Sequence, residues 1–567
     1  GTSLSKHWSP ISVLGLFLGV HVLTLLIVMG LPKRSIDEVA AELVQPAWGS
    51  APPWTTASAA SGWVSTTAFS PVTSRLYSTS GLLVGEPTVL TLELPPGTDV
   101  PGQIEAYIQR MRGPALFAPD SRDAPQVKLT LFSTAGRSGD VGRTWRIGRC
   151  PETRLVLPIE STELPSVAEV EITPGASDPV LIYRLGYVPR RTERDRRVVL
   201  LISMDTVGAD HMSLDRQTEF ETNPNLGDLL ASDPMAVGFT SAMSSSSWTL
   251  PSHASAWTGL YPSQHGLIRS VPAVAFSREL NTLSEVIKKG GDVRTYALVS
   301  HLHLRPEHGF SRGVDYHDRY DEEDLGQRGR ALLDDAVRLL EDKRNGDIFM
   351  LLHLFDAHYP YTNYPESYSK FRLDLDPDPI PSLYQGRLYR TLHEGRRHPR
   401  LRRQNIVRYG DEIFPHMPAA RLAYRLGVRD VDDMLGDFFD QLRNRGLFQN
   451  TTIVIMSDHG EEFFEHGTLT HQSLYRENTR LPLLLKLARS SSRALRVEAL
   501  PEKIVPFAFE AHTTLFKVVC DLFSRPYPEY LADADTEGLG LDDLLALRQD
   551  HPACAEMYDE HGDPDNL

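Results

Sequence analysis

Four short apolar runs limit what this chain can fold into more than any other feature. Val198 to Met204 reads VVLLISM, and similar runs cover Arg294 to Ser300, Ile348 to Phe355 and Thr452 to Met456. Uninterrupted apolar residues suit strands buried on both faces, as in a parallel sheet. Helical spacing fills the intervals at Asn281 to Lys289, Gly326 to Leu340 and Ala420 to Arg445. Strands alternating with helices predict an α/β domain, a doubly wound and mostly parallel sheet, placed at residues 198–545. In such sheets ligands bind at the carboxyl ends of the strands.

Acids and histidines gather at those ends. Asp205 follows the first run. His301 and His303 follow the second, and His353, Asp356 and His358 sit at the end of the third. Asp458 and His459 follow the fourth. Singly, each has a plain explanation, such as a helix cap or a satisfied polar residue. Together they predict one site with the carboxylates and imidazoles a metal needs.

Between the first two strands lies SWTLPSHASAWTGLYPSQHG, residues 247–266. Thr249 stands just before the start of a predicted helix, with Thr258-Gly259 as its closing turn. Helix N-termini present unpaired N–H groups to anions, so a hydroxyl nucleophile there can face a phosphate or sulfate.

These segments resemble, in order, the sulfatase signature of the alkaline phosphatase superfamily. Thr249-Leu250-Pro251-Ser252-His253 with Thr258-Gly259 is similar to its nucleophile motif. Asp205-Thr206 resembles its first metal-ligand motif, and Phe355-Asp356-Ala357-His358-Tyr359-Pro360 its DPHxPY motif. Ser457-Asp458-His459-Gly460-Glu461-Glu462, followed by Glu465-His466-Gly467 and His471, resembles its SDHGE…EHG…H segment. Leu481 to Leu484 resembles the strand that follows, and Ala508 to Ser524 its VDLxPTLLDLxG motif.

The chain departs from formylglycine sulfatases at telling places. Thr249 stands where they carry Cys or Ser, His253 where Arg is usual and Thr206 where a second acid is common. The Lys expected near His301 to Gly313 is absent. Thr nucleophiles belong to the phosphodiesterase, phosphonate hydrolase and phosphoethanolamine or phosphoglycerol transferase branches. The resemblance therefore implies a divalent cation held by Asp205, Asp458 and His459 with Thr249 as nucleophile. His253, His358 and His471 would steady the oxyanion or protonate the leaving group. Asp356, His358 and His471 could hold a second metal. Calcium, magnesium, manganese and zinc all remain open as the ion.

The rest of the chain frames this domain. Residues 11–31, ISVLGLFLGVHVLTLLIVMGL, have the length and composition of a single transmembrane helix. Gly15 and Gly19 allow close packing against an integral membrane partner, and His21 would prefer a partner to lipid. Residues 1–10 flank this run, and residues 32–75, rich in Ala, Pro and Ser, read as a linker. Residues 76–189 carry short alternating runs broken by Pro and Gly, the pattern of a β-sandwich. A charged linker, 190–197, separates them from the α/β domain, and a polar tail fills 546–567. The usual C-terminal subdomain of the resemblance is expected to be short.

Charge bias across the apolar run weakly favours a cytoplasmic body, whereas the resemblance implies an extracytoplasmic, periplasmic one, and the latter is expected. A net charge of −16 argues against nucleic acid as a partner. Arginines cluster between Arg387 and Arg408, where an anionic substrate or lipid headgroups could bind. Cys520 and Cys554 could pair in an exported protein. Three functions stay open: hydrolysis of phosphate or sulfate esters, phosphoethanolamine- or phosphoglycerol-type transfer, and a non-catalytic subunit of a membrane complex.

Overall fold

The computed structural model describes strands within residues 45–189 and most of 196–550. Within the latter span it omits 215–220, 271–273, 278, 290–291, 321–327, 342–345, 360–416, 464, 467–468, 472 and 534–537. The apolar run 11–31, Gly15 and Gly19, the arginine cluster and Cys554 lie outside the described residues. No helix among the described residues is long and apolar enough to cross a membrane.

The α/β sheet is numbered here from its first strand. β1 is Val198–Met204, β2 Ala236–Met243, β3 Val293–Val299, β4 Tyr316–Arg319, β5 Asp347–Leu354, β6 Thr451–Ser457 and β7 Arg480–Lys486. Their order across the sheet is β2-β7-β6-β1-β5-β3-β4. β1 pairs in parallel with β5 and β6, and β3 in parallel with β5 and β4. Only β7 runs against its neighbours, between β6 and β2.

Every residue of β1, β3, β5 and β6 is buried, as uninterrupted apolar runs require. Alternate β1 residues feed two separate cores. Leu200, Ile202 and Met204 pack with helices α1 (Pro224–Ser232), α4 (Arg328–Glu341) and α5 (Met417–Asn444). Val199 and Leu201 pack with α2 (Thr249–Thr258), α3 (Leu283–Lys288) and α6 (Ala511–Leu522). The period of two along the strand thus places one helical layer on each face. Truncating the fully buried Leu200 to Ala would destabilise this centre by roughly 2–5 kcal/mol.

The N-terminal strands are antiparallel and fall in two sheets. One, of five strands, runs Trp54–Thr56, Thr88–Glu93, Val167–Thr173, Gln126–Phe132, Val141–Arg146. The other continues the α/β sheet: Arg75–Val84 meets β4 at the pair Ser78 and His317. Beyond it lie Val180–Pro189, Gly102–Arg110 and Thr153–Ile159. A buried ion pair reinforces the junction, with Arg294 of β3 at 2.7 Å from Glu105. The charged linker at 190–197 therefore divides the sequence without dividing this sheet. Residues expected as linker also carry strand, chiefly Ser61–Ser70, whose Ser, Thr and Gly content hides the alternation.

Candidate active site

The carboxyl ends of β1, β5 and β6 meet the N-terminus of α2, and the candidate site lies where they meet. Two strand ends are tied first. The Ser457 hydroxyl donates to Met204 O at 2.7 Å and accepts from Val207 N at 2.9 Å. Asp205 and Asp458, next along each chain, are thereby brought together, and both are fully buried.

Gly460 makes the turn after Asp458-His459 possible. A Cβ there would lie 1.9 Å from Glu477 O, so no side chain fits. The serine-rich stretch before α2 has an equally local cause. Its backbone runs through the interior, where polar groups need partners. Ser244 donates to Asp458 O at 2.7 Å, Ser245 N to His512 Nδ1 at 3.2 Å, and Ser252 Oγ to Ser246 O at 3.1 Å. Helix α2 starts at Thr249 and is capped after Thr258 by Gly259, whose left-handed φ of 76° suits glycine.

Thr249 Oγ1 then lies 3.5 Å from Asp205 Oδ2 and 3.4 Å from His459 Nε2. His459 Nε2 is 3.6 Å from Asp205 Oδ1 and 3.4 Å from Asp458 Oδ2. Its other nitrogen is held at 3.0 Å from Gly460 O, so Nδ1 carries the proton and Nε2 offers its lone pair. Asp205, Asp458 and His459 offer donor atoms within 4.8 Å of one another. Asp205 Oδ1 and Asp458 Oδ2 are buried with no hydrogen-bond partner. Two orphaned carboxylate oxygens and an imidazole lone pair in one buried pocket fit a divalent cation.

The electrostatics carry the same signature. Burial and the neighbouring Asp458 hold Asp205 well above the ordinary carboxylate range. Burial also opposes ionisation of Asp458, but His459, His253 and His353 outweigh it and hold that group low. Burial disfavours the His459 imidazolium, yet Asp458 and Asp205 raise it overall. Crowded buried carboxylates of this kind are relieved by a cation.

The other expected residues divide. His471 belongs to the pocket: its ring centroid is 4.4 Å from that of His459, and its Nδ1 is 3.3 Å from Oε1 of the buried Glu461. His358 lies beside it, 5.4 Å between centroids, and burial lowers it to about 3. His253 turns inward instead. Its Nδ1 faces Thr249 O and its Nε2 Ser203 Oγ, both at 2.9 Å, so it props the first turn of α2 and has no nitrogen left for an ester oxygen. Asp356 also points away. It accepts from Gly329 N at 3.3 Å, and burial raises it to about 7. The shared second-metal role expected of Asp356 with His358 and His471 is not the arrangement seen: among the described residues these three do not bring donor atoms within 4.8 Å of one another. Cys520 is a buried free thiol in α6.

Three residues without an assigned role complete the surroundings. His353 was visible at a strand end, as a lone imidazole inside an apolar run. Glu461 was visible in the Asp-His-Gly-Glu segment. Tyr424 of α5 had no sequence signal: its hydroxyl donates to Thr206 O at 2.6 Å and accepts from Gly208 N at 3.1 Å.

The Sulfatase family profile matches residues 197–508. Iduronate 2-sulfatase of Mus musculus is 28% identical over 182 residues, covering 31% of this chain and 32% of that protein. The multifunctional alkaline phosphatase superfamily protein PehA of Trinickia caryophylli is 34% identical over 71 residues, covering 12% and 14%. The aligned stretches thus span a third or less of these relatives' lengths. Among solved structures, the phosphonate monoester hydrolase of Agrobacterium radiobacter has a TM-score of 0.46 at 18% identity, over 62% of this chain and 77% of that one. The zinc complex of the C-terminal periplasmic domain of Escherichia coli EcEptC has a TM-score of 0.43 at 18% identity, over 59% and 84%.

Proposed function

Because the chain belongs to the sulfatase family, whose profile covers more than half of it, we propose that it is a cation-dependent hydrolase of phosphate or sulfate esters with Thr249 as nucleophile. One observation carries the reading: Thr249 Oγ1, at the first position of a helix, sits 3.5 Å from Asp205 and 3.4 Å from His459. Asp205, Asp458, His459 and the Thr249 hydroxyl would hold the cation, which is calcium, magnesium, manganese or zinc. Bound there, it supplies Lewis acidity that makes the threonine hydroxyl acidic and offsets charge on the ester.

The chain's own groups do the rest. Asp205 Oδ2 is within reach of the threonine proton. Thr249 Oγ forms the new bond to phosphorus or sulfur while the bond to the leaving oxygen breaks. The opening N–H groups of α2 would face the equatorial oxygens. His471, backed by the buried carboxylate of Glu461, delivers a proton to the departing oxygen. Water then cleaves the threonine ester and restores the hydroxyl.

The setting is part of the same proposal. Residues 11–31 anchor the chain as a single span, with Gly15 and Gly19 available to a membrane partner. The N-terminal sheets form the sandwich that spaces an extracytoplasmic, periplasmic body from the bilayer. The test is direct. Thr249→Ala should abolish turnover of aryl phosphate, phosphodiester and sulfate esters, while Thr249→Ser keeps part of it. Undiminished turnover by Thr249→Ala would refute the assignment.

A further inference from the structure

A second group of donors stands beside the first. His253, His353 and Asp458 each offer a donor atom within 4.8 Å of the others. Taken alone, this is a second cation site sharing Asp458. The hydrogen bonds say otherwise. His253 Nδ1 meets the carbonyl oxygen of Thr249, which can only accept, so that nitrogen is protonated. Its Nε2 is then the acceptor for the Ser203 hydroxyl. Neither nitrogen of His253 has a lone pair to give.

His353 is the opposite case. It is 0% exposed, and neither ring nitrogen has a hydrogen-bond partner. Leaving such a group buried and unsatisfied costs roughly 1–3 kcal/mol. Its Nε2 lies 3.3 Å from Asp205 Oδ2, the same oxygen that faces Thr249 Oγ1. Register fixes this position. β5 pairs with β1 so that His353 lies opposite Ser203, two residues before Asp205. Its ring meets those of His253 and His301 edge-on or tilted, and neither contact satisfies a nitrogen.

Building on the cation reading of Asp205, Asp458 and His459, we propose that His353 is a further ligand of that same cation, through Nε2. Two imidazoles, two carboxylates and the Thr249 hydroxyl then converge on one ion. Such a donor set selects a borderline transition-metal ion of the zinc or manganese class. Calcium and magnesium prefer oxygen donors throughout.

The full-length protein, stripped with chelator and reloaded with one equivalent of Zn²⁺, tests this by X-ray absorption, which counts imidazole ligands. Two are expected in the wild type and one in His353→Gln, with Zn²⁺ affinity lowered about 100-fold or more in a chelator competition. One imidazole in the wild type, or an unchanged count in the variant, overturns the assignment. If His353→Gln fails to fold, the wild-type count decides alone. A wild type that holds Zn²⁺ no better than Asp458→Asn would overturn the cation reading itself. A one-imidazole site would leave that reading standing and remove only His353.

Discussion

The backbone N–H of Thr206 donates to Oδ1 of Asp458 across 3.1 Å, joining the loop after β1 to the loop after β6. His459 N donates to the same oxygen at 2.9 Å. One oxygen of Asp458 is thus committed to the backbone, and the other, Oδ2, is left facing the pocket. Thr206 reaches this position only by adopting a left-handed φ of 63°, unusual for a β-branched residue. The strain is held in place by Tyr424, whose hydroxyl bridges Thr206 O and Gly208 N.

Tyr424→Phe should therefore loosen the site without touching it. The variant leaves a buried carbonyl and a buried N–H without their partner, at roughly 1–3 kcal/mol of stability. It should also weaken cation binding about 10- to 100-fold, as loss of an outer support does. Urea unfolding and chelator competition check the two effects. A stability loss with unchanged cation affinity would show that the loop keeps its shape without Tyr424.

His471 should matter most where the leaving group is poor. A nitrophenolate departs without a proton, whereas an alkoxide needs one. His471→Gln is expected to slow alkyl ester turnover by about 10²–10⁴-fold and nitrophenyl ester turnover far less. Glu461→Gln, which removes the buried carboxylate behind the imidazole, should move the same ratio in the same direction. Equal losses on both substrate types would assign His471 to binding instead of proton delivery.

The parallel strands and their end-of-strand acids were legible because burial on both faces writes itself as uninterrupted apolar runs. Val198–Met204 was bounded correctly, and β3, β5 and β6 within a residue or two. β2 was not seen: AVGFTSAM mixes Gly, Thr and Ser into a buried strand that pairs antiparallel with β7. Asp205, Thr249, Asp458 and His459 could be grouped because each follows a strand or opens a helix. The orientation of a side chain has no such mark. Asp356 and His253 carry the right chemistry at the right strand and helix ends, and only packing turns them toward Gly329 and Ser203. Tyr424 lies on a helix face indistinguishable in sequence from any other core tyrosine.

The junction between the N-terminal strands and the α/β sheet rests on the buried pair Glu105 and Arg294. Removing one partner strands a buried charge, so Arg294→Met should destabilise the protein by about 3–5 kcal/mol. Replacing both, as Glu105→Leu with Arg294→Met, should recover most of that loss, because the desolvation of two charges disappears with them. Chemical denaturation of the two single variants and the double measures the coupling. Additive losses would mean that the contact contributes little to the junction.

Acid sensitivity should have an identifiable contribution from outside the cation pocket. His265 is buried behind α2, where its Nδ1 accepts from Leu267 N at 3.0 Å and its Nε2 faces Ser255 Oγ at 3.2 Å. Burial lowers it from the usual 6.5 to about 3. The folded protein therefore holds this ring neutral while the unfolded chain takes up a proton. The contribution is intact above pH 6.5 and lost progressively as pH falls toward 3, by about 1.4 kcal/mol per pH unit for one such group. Protonation would also set Nδ1–H against the Leu267 N–H. Other buried histidines, His211 and His317 among them, act in the same direction. The informative quantity is thus a difference in slope. Between pH 6 and pH 5, His265→Gln should lose up to about 1.4 kcal/mol less stability than the wild type. Urea midpoints at the two pH values measure it, and parallel slopes would show that His265 takes up no proton on unfolding.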